Sequence, residues 1–421
     1  MAEHQQFVSE IEKTWGRWPL PPRWWSYSTV QEIEDCPRRW MLRHADYPDI
    51  WDRHGYPDRP NLPALTGDVM HGALERVIGA MAEAGCEAAA TSAASLVMRQ
   101  LGGFSAVVTS CIDDRLAAFK DNPRARDRVD GLREALRGRV PQMRQQVQAI
   151  VAMTDLAPNE GAAFRAPSTD RREPLPPGSH PEVELRVPSL GWVGRADLIR
   201  VEDDGCEITD YKTGARSDRH VEQIQIYALL WNLDSELNPS GSVAKRLTLR
   251  YADGDVDIRA PSVHDLRQLE KALVERTAQA LQDLVDRPPL AKPAPETCSG
   301  CPVRHLCPEY WVSLDVSPTI GDAPALKPGD LEVRLAGRTG PKSWEGEVVH
   351  GPKRKARVLL RTLSDSATFP LRGGVRVLDA AIGWDAESET MVTTMTSWTE
   401  TYKVRAPGQL IRPESAVNQT G

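Results

Sequence analysis

Three cysteines crowd into ten residues as Cys298-x2-Cys301-x5-Cys307, while a fourth, Cys36, stands more than 260 residues upstream. Proline follows Cys36, Cys301 and Cys307. A tight thiol cluster with a distant fourth member is a soft-metal pattern, open to Zn²⁺ or to an iron–sulfur cluster. A shared metal would force the N-terminal segment back against residues near 300. That closes a long loop and removes much unfolded-state entropy. Cys86, Cys111 and Cys206 have no ligand spacing and read as buried or incidental thiols. Seven cysteines in 421 residues do not form a disulfide framework.

A chain of 421 residues exceeds one ordinary core, so two or three domains are expected. With 40% hydrophobic and 26% charged residues it is globular in composition rather than disordered. No run of 18 apolar residues suggests a membrane span, and MAEHQQFVSE has no signal-peptide pattern, so the cytoplasm is the expected compartment. The balance of 52 basic against 59 acidic residues argues against non-specific coating of nucleic acid. It leaves room for a nucleic-acid enzyme with local cationic patches.

Residues 26–44 read as a short helix ending near the Cys36-Pro37 turn. Residues 64–82 carry apolar Val69, Ala73, Val77 and Met81 at helical spacing, and a helical block follows from about 86 to 152. Beyond a Pro-rich loop at 157–180, three successive strands are predicted at 181–188, 191–201 and 205–212. A helix at about 218–234, strands at 246–251 and 255–259, and a helix at 263–286 complete an α/β pattern. Residues 316–330 read as a linker. Short strands at 331–335, 345–349, 356–361, 374–379, 391–396 and 400–404 then suggest a small all-β barrel over 331–406, with a tail at 407–421.

Within the strands, Asp197 lies in Gly194-Arg195-Ala196-Asp197, and Asp210-Tyr211-Lys212 follows 13 residues later. Residues i and i+2 share a strand face, so Asp210 and Lys212 project together. Asp197, on the neighbouring strand, is close enough to share a cation with Asp210. Two carboxylates suit Mg²⁺ or Mn²⁺. A lysine beside them orients a metal-bound water or neutralises charge on an attacked phosphate.

These residues resemble the PD-(D/E)XK nuclease superfamily, in the branch of the RecB-type nuclease domains and the CRISPR-associated iron–sulfur exonucleases. The resemblance spans roughly residues 26–312. It implies a restriction-endonuclease-like α/β core with a helical insertion at about 84–155. Gly67-Asp68-Val69-Met70-His71 matches the branch's helical motif, which makes His71 a metal ligand with Asp197 and Asp210. Lys212 matches the catalytic lysine, and Gln223 and Tyr227, four residues apart, match the motif on the next helix. Glu184 matches an acid one strand earlier, while Glu75 reads as a surface charge. The same branch holds a [4Fe–4S] cluster on one upstream and three downstream cysteines, here Cys36, Cys298, Cys301 and Cys307, with zinc the alternative.

Residues 124–144 carry seven arginines against three acids, either presented to phosphates or forming a solvated helix face. The barrel resembles an OB-fold, with Lys353, Arg354, Lys355 and Arg357 as its basic run and Trp344, Trp384 and Trp398 as stacking or core residues. Gly337 to Ser343 mimics a phosphate loop but fails, because Pro341 separates Gly340 from Lys342. The expected activity is Mg/Mn-dependent hydrolysis of DNA, as an exonuclease on single-stranded ends in repair, recombination or defence. A helicase or defence complex is the expected partner class, and no membrane. The alternatives are a non-catalytic DNA-binding subunit and a nuclease active only within a larger complex.

Overall fold

The computed structural model describes residues 18–48, 50–157, 172–315, 326–365, 367, 369 and 373–404. The first helical segment is two helices, α1 (Tyr27–Asp35) and α2 (Pro37–His44). Pro37 opens α2 and drives the preceding Cys36 into extended backbone at φ −165° and ψ 103°. The thiol therefore sits at a corner and not on a helix face. Ser26 caps α1 by accepting the Thr29 N–H at 3.2 Å.

Helix α3 (Leu62–Glu83) starts at the Asn61 cap, and its spaced residues Val69, Ala73, Val77 and Met81 are buried. The helical block beyond it divides into α4 (Ser92–Gln100), α5 (Phe104–Ala117), α6 (Val129–Arg137) and α7 (Val140–Ala152). Their apolar faces join α3 in one core that also takes Leu198 and Tyr211. Among the described residues, no single helix is long and apolar enough to cross a membrane.

The sheet that carries the acids follows in β1 (Gly178–Val187), β2 (Trp192–Glu202) and β3 (Gly205–Lys212), an antiparallel meander. Helix α8 (Asp218–Leu233) crosses over to β4 (Ala244–Tyr251), which runs parallel to β3, and β5 (Gly254–Ile258) closes a hairpin. The spatial order is β1-β2-β3-β4-β5. Gly194 lets α8 lie flat on β2, since a Cβ there would stand 2.8 Å from Leu230 Cδ1 and 2.9 Å from Tyr227 Cε1. Helix α9 (Val263–Asp283) begins in a capping box between Ser262 and Asp265. Short α10 (Pro295–Cys298) and α11 (Pro308–Leu314) flank the downstream cysteines.

The C-terminal strands are β6 (Lys327–Gly340), β7 (Ser343–His350), β8 (Arg357–Arg361), β9 (Gly374–Asp385), β10 (Thr390–Thr394) and β11 (Glu400–Val404). Strand β6 begins at Lys327, so the end of the expected linker is already sheet; residues 316–325 and 405–421 lie outside the described residues. The order β10-β8-β7-β6-β9 closes through a β9–β10 pairing into a five-stranded barrel, with β11 added on β9. Trp344 is barrel core, whereas Trp398 is 37% exposed.

The barrel docks through buried ion pairs. Arg304 donates to Asp330 and to Asp379, both at 2.6 Å, and Tyr310 donates to Asp330 at 2.6 Å. The His305 ring stacks on Tyr402 at 4.0 Å. Arg124 donates to Glu400 at 2.7 Å and 3.2 Å and to the carbonyls of Pro57 and Pro302. The arginine block at 124–144 is thus not one uniform surface. Arg124 is 6% exposed and pins the barrel, Arg128 lies near Glu400 with its carbonyl-directed bond to Thr399, and Arg133 pairs with Asp113. Buried ion pairs contribute little net stability, but removing one partner strands the other, so they fix the docking geometry.

Candidate active site

The site forms where β2 and β3 separate. Their ladder runs from Glu202–Gly205 to Leu198–Thr209 and stops there. One residue further, the Asp197 carboxylate replaces the ladder by accepting the Tyr211 backbone N–H at 2.5 Å. Asp210 is 3% exposed. Burial pushes its carboxyl from 3.8 up to about 7, and the charge of Asp197 adds to the rise. Burial likewise raises Asp197 to about 7, against the lowering effect of the Tyr211 N–H. Two such acids ionise together only beside positive charge.

Lys212 supplies part of that charge. Its Nζ lies 2.5 Å from Asp210 Oδ2, an ion contact without hydrogen-bond alignment, so this buried oxygen keeps unmet acceptor capacity. Lys212 Nζ donates to Gln223 Oε1 at 2.7 Å, and Gln223 Nε2 donates to the Tyr227 hydroxyl at 2.8 Å. The predicted pair on α8 therefore acts as a relay that fixes the lysine head. His71 reaches the same pocket from α3. Burial lowers its pKa, as does the Lys212 charge, while Asp210 and Asp68 oppose the shift. Thr213, just past the lysine, approaches α3 so closely that a Cβ on Gly67 would lie 3.2 Å from its Oγ1.

Glu184 does not join this group. Its side chain pairs with Arg186, and its carbonyl accepts from Arg172. The acid that faces the pocket is Glu182, which the sequence reading missed. Burial, with the charges of Glu75 and Asp210, raises it to about 7, against the lowering effect of Arg195 at 3.9 Å. Hairpin register explains the difference. Pro181 pairs with Leu198 and Val183 with Ala196, so Glu182 stands across from Asp197, while Glu184 pairs with Arg195. Counting back from the 188–191 turn would have found it. Glu182 also adopts a left-handed φ of 54°, a cost that a functional position can carry. Glu75 is exposed, as expected for a surface charge.

Among the described residues, no three His, Cys, Asp or Glu side chains converge at coordination distance. The donor chemistry still suits a hard divalent cation, since two buried carboxyls are held partly neutral and one keeps an oxygen without an aligned donor. Cys36, Cys298, Cys301 and Cys307 line one partly open cavity, with Arg39, Arg304 and Tyr310 in its walls. Burial raises the Cys298, Cys301 and Cys307 thiols, Cys301 to about 11, so they are neutral until a soft cation favours the thiolates. Cys86, Cys111 and Cys206 are buried away from this cavity.

A paired-acid and lysine site at a split in a mixed sheet, with a helix holding the lysine, is the arrangement of a nuclease-type α/β core. The family model of the PD-(D/E)XK nuclease superfamily matches residues 24–308, and the chain belongs to that superfamily. Its members are nucleases, which supports a nuclease enzyme here. A solved chain described as "Crystal structure of SSO0001" is 22% identical, with a TM-score of 0.20, over 31% of this chain and 60% of that one. So loose a superposition adds nothing to the family assignment. No match was found among curated proteins.

Proposed function

We propose that the protein is a Mg²⁺- or Mn²⁺-dependent deoxyribonuclease, acting as an exonuclease on single-stranded DNA ends. The observation that carries this reading is the Asp197–Asp210–Lys212 group with its Gln223–Tyr227 relay. Asp197 and Asp210 would hold the cation, with His71 as a further donor and Glu182 beside them. The bound cation supplies Lewis acidity and lowers the pKa of water. Lys212 then orients the attacking water and offsets charge on the phosphoryl oxygens. Gln223 and Tyr227 keep its ammonium aimed at the reacting group and away from solvent. Glu182, kept as a carboxylate by the cation's charge, stands where it would take a proton from that water.

The exonuclease mode and the setting in repair, recombination or defence rest on the likeness to the RecB-type branch. A partner helicase or defence complex follows by the same analogy. Four thiols around one cavity favour a [4Fe–4S] cluster that clamps the domain ends, with zinc as the alternative. The barrel's strand order, with β8 and β10 parallel between otherwise antiparallel neighbours, favours an OB-like unit. Its β7–β8 face and the turn carrying Lys353, Arg354 and Lys355 would meet the nucleic acid, and Lys353 Nζ lies 4.2 Å from the Trp384 ring centroid.

The test is cleavage of end-labelled single- and double-stranded DNA by anaerobically purified protein, with Mn²⁺ or EDTA. Metal-dependent products that vanish in Lys212→Ala support the enzyme, and their ladder reports the cutting mode. A folded protein that cleaves neither substrate refutes a free-standing nuclease.

A further inference from the structure

An acid-lined pocket must still receive a polyanion. Asp197, Asp210 and Glu182 gather three acids at the pocket, and Arg195, 3.9 Å from Glu182, answers only the last of them. Lys212 is engaged by Asp210 and Gln223. Arg250 is held by Asp255 at 2.8 Å and by Thr154 at 3.0 Å. Arg195, 59% exposed, faces the β1 side beside Glu182, so on the β3–α8 side a cation that meets the substrate has to stand at the rim.

Arg216 stands there. It lies in the turn between β3 and α8, four residues after Lys212. Its guanidinium sits 5.3 Å from the Tyr251 ring centroid. Tyr251 is the cross-strand register partner of Lys212, so the arginine is set beside the lysine by the sheet itself. The Tyr251 hydroxyl is tied to His220 Nδ1 at 2.8 Å. His220, Gln223 and Tyr227 fall at i, i+3 and i+7 on α8, on one helix face. The face that holds Lys212 through Gln223 therefore also fixes the ring under Arg216. The Arg216 side chain is 58% exposed, and its Nη2 is 3.3 Å from the carboxylate of Asp253, itself 75% exposed. An exposed pair of this kind costs little to exchange. A guanidinium fork matches a phosphate better than an ammonium does.

We propose that Arg216, seated on Tyr251 and braced by His220, is a positioning residue that grips the DNA backbone phosphate neighbouring the scissile one. The proposal rests on the nuclease reading. It assigns to the β3–α8 turn the task of setting where along the strand the scissile phosphate stops.

The experiment measures binding of a fluorescein-labelled single-stranded oligonucleotide in EDTA across a salt series, and cleavage in Mn²⁺ under steady-state conditions. Wild type, Arg216→Ala, Arg216→Lys, Tyr251→Leu and the Arg216→Ala/Tyr251→Leu double variant are compared. Arg259→Ala serves as a charge-removal control; that side chain is 87% exposed at the opposite end of the β4–β5 hairpin from Tyr251. Loss of one phosphate contact on a single strand lowers the magnitude of the salt slope by about 0.7. Arg216→Ala should show that drop and a several-fold weaker affinity, and should raise KM more than it lowers kcat. Arg216→Lys should recover part of the affinity, and the double variant should bind no worse than Arg216→Ala. A salt slope in Arg216→Ala equal to that of wild type and Arg259→Ala overturns the proposal, as does a fall in kcat with KM unmoved. Wild type that neither binds in EDTA nor cleaves in Mn²⁺ overturns the nuclease reading along with it, so the two failures are distinguishable.

Discussion

Replacing Arg124 by methionine should release the barrel from the nuclease domain. The side chain is 2% exposed and its donors satisfy both Glu400 oxygens and two backbone carbonyls. Methionine fills much of the volume but leaves Glu400 buried without its main partner. Breaking one side of a buried pair costs about 3–5 kcal/mol. Arg128 at 3.6 Å and Arg59 at 3.7 Å remain near Glu400, which favours the lower end. Titration gives an independent figure. Glu400 is buried, yet Arg124 beside it holds its carboxyl down at about 2 against 4.5. A depression of that size corresponds to about 3 kcal/mol for the whole group of Arg124, Arg59 and Arg128 against burial, an upper bound on the share of Arg124. Because the folded value is the lower one, this stability is present above pH 4.5 and lost as pH falls toward 2. The assay is urea unfolding followed by tryptophan fluorescence at pH 7 and at pH 4. At a slope of about 2 kcal/mol per molar urea, the barrel transition should move down by roughly 1.5 M at pH 7 and by less at pH 4. An unchanged midpoint at pH 7, or an equal loss at both pH values, would refute the reasoning.

Other outcomes follow from the same geometry. Asp197 and Asp210 titrate near 7 when folded against 3.8 unfolded, so stability in EDTA should fall as pH rises from about 4 to about 7. Asp197→Asn should flatten that fall, and Mn²⁺ should raise the unfolding midpoint at pH 8 in wild type more than in the variant. Gly194→Ala should cost about 1–3 kcal/mol by overpacking against Leu230 and Tyr227. Displacement of Tyr227 should also lower kcat, so a variant with native stability and activity would count against the relay. Cys301→Ser, purified anaerobically, should lose the brown absorbance together with bound iron and sulfide. A wild-type protein that carries zinc and no iron would replace the cluster with the alternative metal.

Much of the site was legible because its signals are local. Period-2 spacing sets Asp210 and Lys212 on one strand face, and period-3.6 spacing sets Gln223 and Tyr227 on one helix face. The Cys36-Pro37 step marks a backbone break because proline forbids the preceding residue a helical conformation. Asp197 was found because a tight turn brings its strand back beside Asp210. Glu184 was preferred to Glu182 because matching a family position does not count register, and a two-residue error along one strand face exchanges a pocket acid for one paired with Arg186. The arginine block was ambiguous for another reason. Arg124 meets Glu400 across 276 residues of chain, and no local pattern encodes such a partner. The sequence by itself determined most elements and the acid–lysine pair, which follow from local backbone periodicity, and the cysteine spacing; His71, Gln223 and Tyr227 entered through the family resemblance. Only the tertiary structure decided which glutamate enters the pocket, which arginines are buried and how the barrel closes and docks, because each depends on long-range pairing and on the desolvation that pairing imposes.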